Sequence, residues 1–156
     1  SNGKELCCEK ADGSKRKFGM SHKKNLNEMT IVTSKNHRNP SLKKLIEKSN
    51  FKNVIVMGSI GCKIASVIRG ESDIYISLSL PNKSCPKDWD FAAPSAILKA
   101  AGGAITNLEN EEISYNQLNF EQRGIIIASN NQNIHSDICL QLKEIIASNK
   151  IYPFNA

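Results

Sequence analysis

The chain has 156 residues, enough to bury one core and too few for two comfortable domains. Hydrophobic residues make up 40% and charged residues 23%, an ordinary globular balance, and no stretch approaches the ~20 apolar residues of a membrane helix, so a membrane partner is not expected. The net charge of +6 favours anionic partners, but the lysines are scattered, only SKRK (14–17) is dense and no aromatic residues interleave with them, which argues against a nucleic-acid polymer.

The chain opens SNGKELCC, with neither the apolar core of a signal peptide nor an initiator Met, and reads as a processing scar or the edge of a longer protein. Residues 5–9 and 15–18 flank ADGS, a turn signal, and are predicted to form a short hairpin. TIVTS (30–34) is a strand candidate. Asn39 then offers an N-cap and Pro40 a first helical residue, opening PSLKKLIEKS with Leu42, Leu45 and Ile46 on one face. NVIVMG (53–58) is a continuous apolar run, as in a strand covered on both sides. After GSIG comes a short helix, CKIASVIRG, stopped by Gly70.

DIYISLSL (73–80) alternates apolar and polar residues and is the clearest strand by pattern; PNKSCPKD is a loop. A helix follows in DWDFAAPSAILKAAGG (88–103), then strands in GGAITNL and GIIIAS (124–129), and an amphipathic closing helix in HSDICLQLKEIIAS. Strands alternating with helices of about ten residues predict a single α/β domain over 1–156. Its expected form is a three-layer α/β/α with a mixed, largely parallel sheet of about five strands. Cys7, Cys8, Cys62, Cys85 and Cys139 are odd in number and form no CxxC pair, which points to a reducing cytoplasm rather than a disulfide framework or a zinc site.

Two stretches carry candidate chemistry. In the first, Asp90 can cap the helix that starts at Phe91, and its carboxylate is equally suited to hold a hard cation such as Mg²⁺, given further oxygens from elsewhere. Capping leaves Asp88 and the bulky Trp89 unexplained. Pro94 fits only within a first turn, while Ala92, Ala93, Ala96 and Ala100 would allow close approach to a sheet. Gly102 and Gly103 supply a left-handed exit.

The second stretch, GSIGCK (58–63), is a strand end leading into a helix start. With Ser59 and Lys63 it is either a phosphate cradle or an ordinary capped turn, and the GxxxxGK[ST] spacing of a P-loop is absent. His37 follows a predicted strand beside Lys35 and Arg38, a place to meet an anion. A solvated loop histidine is the plainer reading for it, as for His22 and His135. No histidine pair has metal-ligand spacing, and no Ser-His-Asp or Cys-His constellation can be assembled.

The segment WDFAAPSAILKAAGGAITNLENEEISYN resembles the C-terminal signature of the inositol monophosphatase-like superfamily of Mg²⁺-dependent, Li⁺-sensitive phosphatases: WD, then x-A-A, an apolar run, A-G-G and a strand. GSIGCKIASVIRGESDIYISLS is similar to the companion segment of the 3′(2′),5′-bisphosphate nucleotidase branch, and TSKNHR resembles that branch's Ser-x-x-His loop. The resemblance implies that Asp90 is a metal ligand and that Ser59, Lys63 and His37 contact substrate phosphate or nucleotide. Asp88 matches no family ligand and is read as a loop acid. Ser77 stands two positions after Tyr75, where nucleotidases often carry a basic residue.

The superfamily's other acids come from a glutamate motif and an Asp-Pro-x-Asp-Gly-Thr motif in an N-terminal half. EKADGS (9–14) has Glu for the first Asp and Lys for the Pro, and is read as a hairpin turn, so the catalytic acids are unassigned. The resemblance therefore implies the C-terminal domain of a Mg²⁺-dependent phosphomonoesterase. It would hydrolyse adenosine 3′,5′-bisphosphate to AMP and phosphate with its own N-terminal half as partner, and be inactive alone. An inositol or sugar monophosphate phosphatase, or a stand-alone non-catalytic anion- or nucleotide-binding module, are the alternatives.

Overall fold

Turn and cap chemistry set the first elements of the computed structural model, which describes residues 6–16, 18–34 and 39–152. Asp12 Oδ1 accepts from the amide and the hydroxyl of Ser14 at 2.9 and 2.6 Å. Gly13 takes φ +78°. The turn so made joins β1 (Cys8–Glu9) to β2 (Lys15–Arg16) as the expected antiparallel hairpin. After β3 (Thr30–Ser34), the Asn39 side chain accepts from Leu42 N–H at 2.8 Å and starts α1 (Pro40–Ser49), whose Leu42 and Leu45 are buried. The same Asn39 side chain donates to the Leu78 carbonyl at 2.8 Å, tying the cap to the sheet.

The remaining elements are β4 (Asn53–Met57), α2 (Ile60–Ile68), β5 (Ile74–Ser79), α3 (Asp88–Ala100), β6 (Ala104–Asn107), β7 (Gly124–Ser129) and α4 (His135–Asn149). The main sheet has five strands in the order β4-β3-β5-β7-β6. Strand β3 pairs in parallel with β4 and β5, while β7 is antiparallel to both β5 and β6. Four strands thus run one way and β7 alone is reversed, which is the mixed, largely parallel sheet expected.

Two cores lie on its faces. Alternate residues Ile31, Ile74, Ile76, Leu78, Ile125 and Ile127 pack with Leu42 and Leu45 of α1 and with Ile138, Leu142 and Ile146 of α4. Val32, Tyr75, Ile105, Ile126 and Ala128 point the other way, onto Ile64 and Val67 of α2 and Phe91 and Leu98 of α3. The molecule is a three-layer α/β/α domain. Burying Phe91 and Leu98 contributes about 1.5–3 kcal/mol each to holding α3 on the sheet.

Three expectations change. NVIVM forms an edge strand, and Val54 and Val56, in register with Ile31 and Thr33, are 43% and 44% exposed. The alanines of α3 do not face the sheet: Phe91, Ser95 and Leu98 do, and Ala92, Ala93 and Ala96 are exposed. Close approach falls instead on Gly103, where a Cβ would lie 2.5 Å from both Leu98 Cδ1 and the Ser129 carbonyl oxygen. Gly102, at φ +84°, makes the left-handed exit. Among the described residues no helix is long and apolar enough to cross a membrane.

Candidate active site

The chain leaves the carboxyl end of β3 towards α1 on one face of the sheet, and leaves the adjacent end of β4 towards α2 on the other. Neighbouring strands whose connections part in this way open a crevice outside their carboxyl ends, the usual ligand position in open α/β sheets. Three of the polar groups singled out in the sequence, Ser59, Lys63 and Asp90, lie there or beside it.

Ser59 is the N-cap residue of α2, exposed, and its hydroxyl makes no capping hydrogen bond. Its carbonyl accepts from the Lys63 amide at 3.1 Å, so the helix's first N–H groups lie beside that hydroxyl without intrahelical partners. Lys63, one turn on, is only 2% exposed. Ser34 and Met57 are register partners at the ends of β3 and β4. The Lys63 ammonium bridges the two strand ends, donating to Ser34 Oγ at 2.9 Å and to the Gly58 carbonyl at 2.6 Å. It also lies 5.4 Å from the centroid of the Tyr75 ring. Burial lowers the Lys63 pKa, opposed by the nearby Cys62 and Asp90. Burial raises that of Tyr75 to about 12; a hydrogen bond from Ser77 opposes this and the Asp90 charge adds to it. The resemblance implies that Lys63 contacts substrate; in the structure its ammonium bonds Ser34 and Gly58.

Asp90 reaches the site from α3, but not as the N-cap. Lys87 is the N-cap, with φ −115° and ψ 166°, and the helix starts at Asp88. Asp90 is its third residue, and its Oδ2 accepts from the Lys87 amide at 2.9 Å. Its other oxygen accepts nothing from the described residues. The earlier start also moves Pro94 out of the first turn, where its missing N–H leaves the Asp90 carbonyl without an intrahelical donor. Asp88, read as a loop acid, is instead the buried first residue of the helix, 8% exposed, accepting from the Asn116 amide at 2.5 Å and Gln122 Nε2 at 2.6 Å. Trp89 is exposed and packs against Phe120, ring centroids 6.2 Å apart.

A hard cation takes about six oxygens. Asp90 offers one, and no group of three or more His, Cys, Asp or Glu side chains that could share an ion occurs among the described residues. The residues present fit one edge of a cation site and not a whole one. His37 lies outside the described residues.

Two polar features lie elsewhere. An open cleft of about 890 Å³ lies at the opposite end of the sheet, lined by His22, Lys23, Lys52, Arg69, Asp73 and Asn130 among others. Its Lys23 is paired with Asp73 at 2.7 Å and its Arg69 with Glu71, and it lies away from the crevice, so size alone does not make it the site. His135, read as a solvated loop residue, is 2% exposed at the start of α4. Its ring is held between Thr106 Oγ1 at 2.8 Å and Ser129 Oγ at 2.7 Å, and burial lowers its pKa to about 4. The roles of Ser34, Tyr75 and His135 were not legible in the sequence, because their partners lie on other elements: Lys63 of α2 for the first two, Thr106 and Ser129 of the sheet for the third.

The profile of the inositol monophosphatase family matches residues 1–147. The chain belongs to that family. It is 33% identical to 3′(2′),5′-bisphosphate nucleotidase 1 of Mus musculus over 87 residues, 56% of this chain and 27% of the mouse protein. It is 31% identical to inositol monophosphatase 3 of Xenopus laevis over 133 residues, 80% of this chain and 35% of the frog protein. Among solved structures, the IMPase of Thermotoga maritima has the same fold, with a TM-score of 0.61 at 23% identity over 83% of this chain and 46% of that one. This member of the family therefore spans well under two thirds of the relatives it matches.

Proposed function

We propose that these residues are the carboxyl-terminal α/β domain of a Mg²⁺-dependent phosphomonoesterase whose substrate is a 3′(2′),5′-bisphosphate nucleotide such as adenosine 3′,5′-bisphosphate. The observation that carries the reading is the approach of Asp90, in the first turn of α3, to Lys63 and Tyr75 beside the α2 N-terminus, with one Asp90 oxygen left without a donor among the described residues. In this reading Asp90 supplies one ligand to an ion completed by acids of the family's N-terminal half, the protein partner of this domain. When bound, the ion supplies charge to the leaving oxygen and activates water. Ser59 and the first N–H groups of α2 receive the phosphate, and His37, which follows β3 in sequence, contributes to the same site. Lys63 fixes the β4–α2 turn and adds positive potential from beneath.

Local similarity to the mouse nucleotidase favours the nucleotide; the longer match to the frog inositol monophosphatase supports a second reading, an inositol or sugar monophosphate. Free thiols at Cys7, Cys62, Cys85 and Cys139 accord with a cytoplasmic location. The test is phosphate release by the protein joined to its N-terminal half, with Mg²⁺ and either adenosine 3′,5′-bisphosphate or inositol 1-phosphate. Faster turnover of the nucleotide supports the first reading and faster turnover of inositol phosphate the second. Release by the 156-residue chain alone would contradict both.

A further inference from the structure

We infer that Asp88 is a positioning residue for Asp90, acting through the 114–122 segment rather than on a ligand. The inference rests on the reading of Asp90 as a cation ligand. Asp88 Oδ1 accepts from Gln122 Nε2 at 2.6 Å and Oδ2 from the Asn116 amide at 2.5 Å, and Gln122 Nε2 also reaches the Ser114 carbonyl at 2.8 Å. One buried carboxylate thereby gathers both ends of the segment under the first turn of α3.

The segment needs such a hold. Asn116, Asn119 and Phe120 have φ of 62°, 63° and 56°, a region that a bulky residue like Phe120 occupies only when its surroundings impose it. From Gln122 the linkage returns to the helix. The Gln122 amide donates to the Pro86 carbonyl at 2.9 Å, Glu121 and Lys87 form an antiparallel bridge, and Lys87 Nζ reaches Glu121 Oε1 and the Asn119 carbonyl at 3.1 Å. Lys87 so fixed is the residue whose amide holds Asp90 Oδ2. The path runs from Asp88 to Gln122, across the bridge to Lys87, and on to Asp90; it sets which Asp90 oxygen is taken and which is left.

Amide hydrogen exchange on the 156-residue chain and a Mg²⁺ titration of the protein joined to its N-terminal half, both followed by NMR, test this with Asp88→Ala, Asp88→Asn, Gln122→Ala and the Asp88→Ala/Gln122→Ala double variant. Each alanine variant should speed exchange at Asn116 and Lys87 by tenfold or more while Leu98 and Ile127 keep their protection. The double variant should be no faster than the quicker single one, and Asp88→Asn, which keeps one acceptor oxygen, should be intermediate. The Mg²⁺ midpoint read at Asp90 should rise at least threefold in Asp88→Ala. Loss of protection at Asn116 with Lys87 unchanged would overturn the inference, since Asp88 would then hold only its own loop. Should Asp88→Ala unfold, Gln122→Ala and Asp88→Asn decide it by the same Lys87 criterion. If Mg²⁺ leaves Asp90 unmoved in the unaltered protein joined to its N-terminal half, the cation reading fails, and the path to Lys87 is judged by exchange alone.

Discussion

The Nζ of Lys63 lies 2.6 Å from the carbonyl oxygen of Gly58, so a buried ammonium closes the turn that presents Ser59. The arrangement answers what the GSIGCK motif is for. Its glycine-containing turn opens the helix, and its lysine, one turn later, folds back beneath the strand ends rather than reaching into the crevice.

Lys63→Met should therefore cost stability as well as charge. It leaves the Gly58 carbonyl and Ser34 Oγ without their donor, a loss of about 1–3 kcal/mol, partly offset because no charge remains to be desolvated. Urea denaturation should show a lower midpoint with an unchanged slope. A variant as stable as the parent would mean that the ammonium does not hold the turn.

The His135 ring makes stability fall in mild acid. Its folded pKa of about 4 lies below the ordinary value of 6.5, so the unfolded chain takes up the proton first as pH drops. The contribution is present above pH 6.5 and is lost down to about pH 4, where both states are protonated. Its full size is roughly 3 kcal/mol. His135→Gln should be less stable than the parent at pH 7.5, with the gap narrowing steadily towards pH 4. A constant gap would place the titration elsewhere.

Gly103 is a site of close approach, and a methyl there has nowhere to go. Gly103→Ala should destabilise by about 1–3 kcal/mol, because its Cβ would meet the Ser129 backbone as well as Leu98. Gly58→Ala is the control: nothing lies within 4 Å of a Cβ there, and thermal unfolding should move little. Equal shifts for both variants would contradict the packing described.

What could be read from the residues depended on how local the cause was. The bounds of α1 were legible because Asn39, Pro40 and the Leu42–Leu45 spacing are neighbours in sequence. The start of α3 was misread by three residues, because the choice between Asp88 and Asp90 as first acid is made by Gln122 and Asn116, far along the chain. Apolar composition made β4 look buried, but only the sheet order reveals it as an edge. Alternation made β5 legible as a strand, yet its serines Ser77 and Ser79 are buried, 8% and 5% exposed. His135 was missed because Thr106 and Ser129 come to it from two other strands.

The most direct measurement is the rate of Mg²⁺-dependent phosphate release from adenosine 3′,5′-bisphosphate by the protein joined to its N-terminal half, with Asp90 intact and as Asp90→Asn. The substitution should leave the fold in place and lower turnover by about a hundredfold or more, with Mg²⁺ required at higher concentration. Turnover and Mg²⁺ dependence unchanged in Asp90→Asn would contradict the assignment of its free oxygen to the ion.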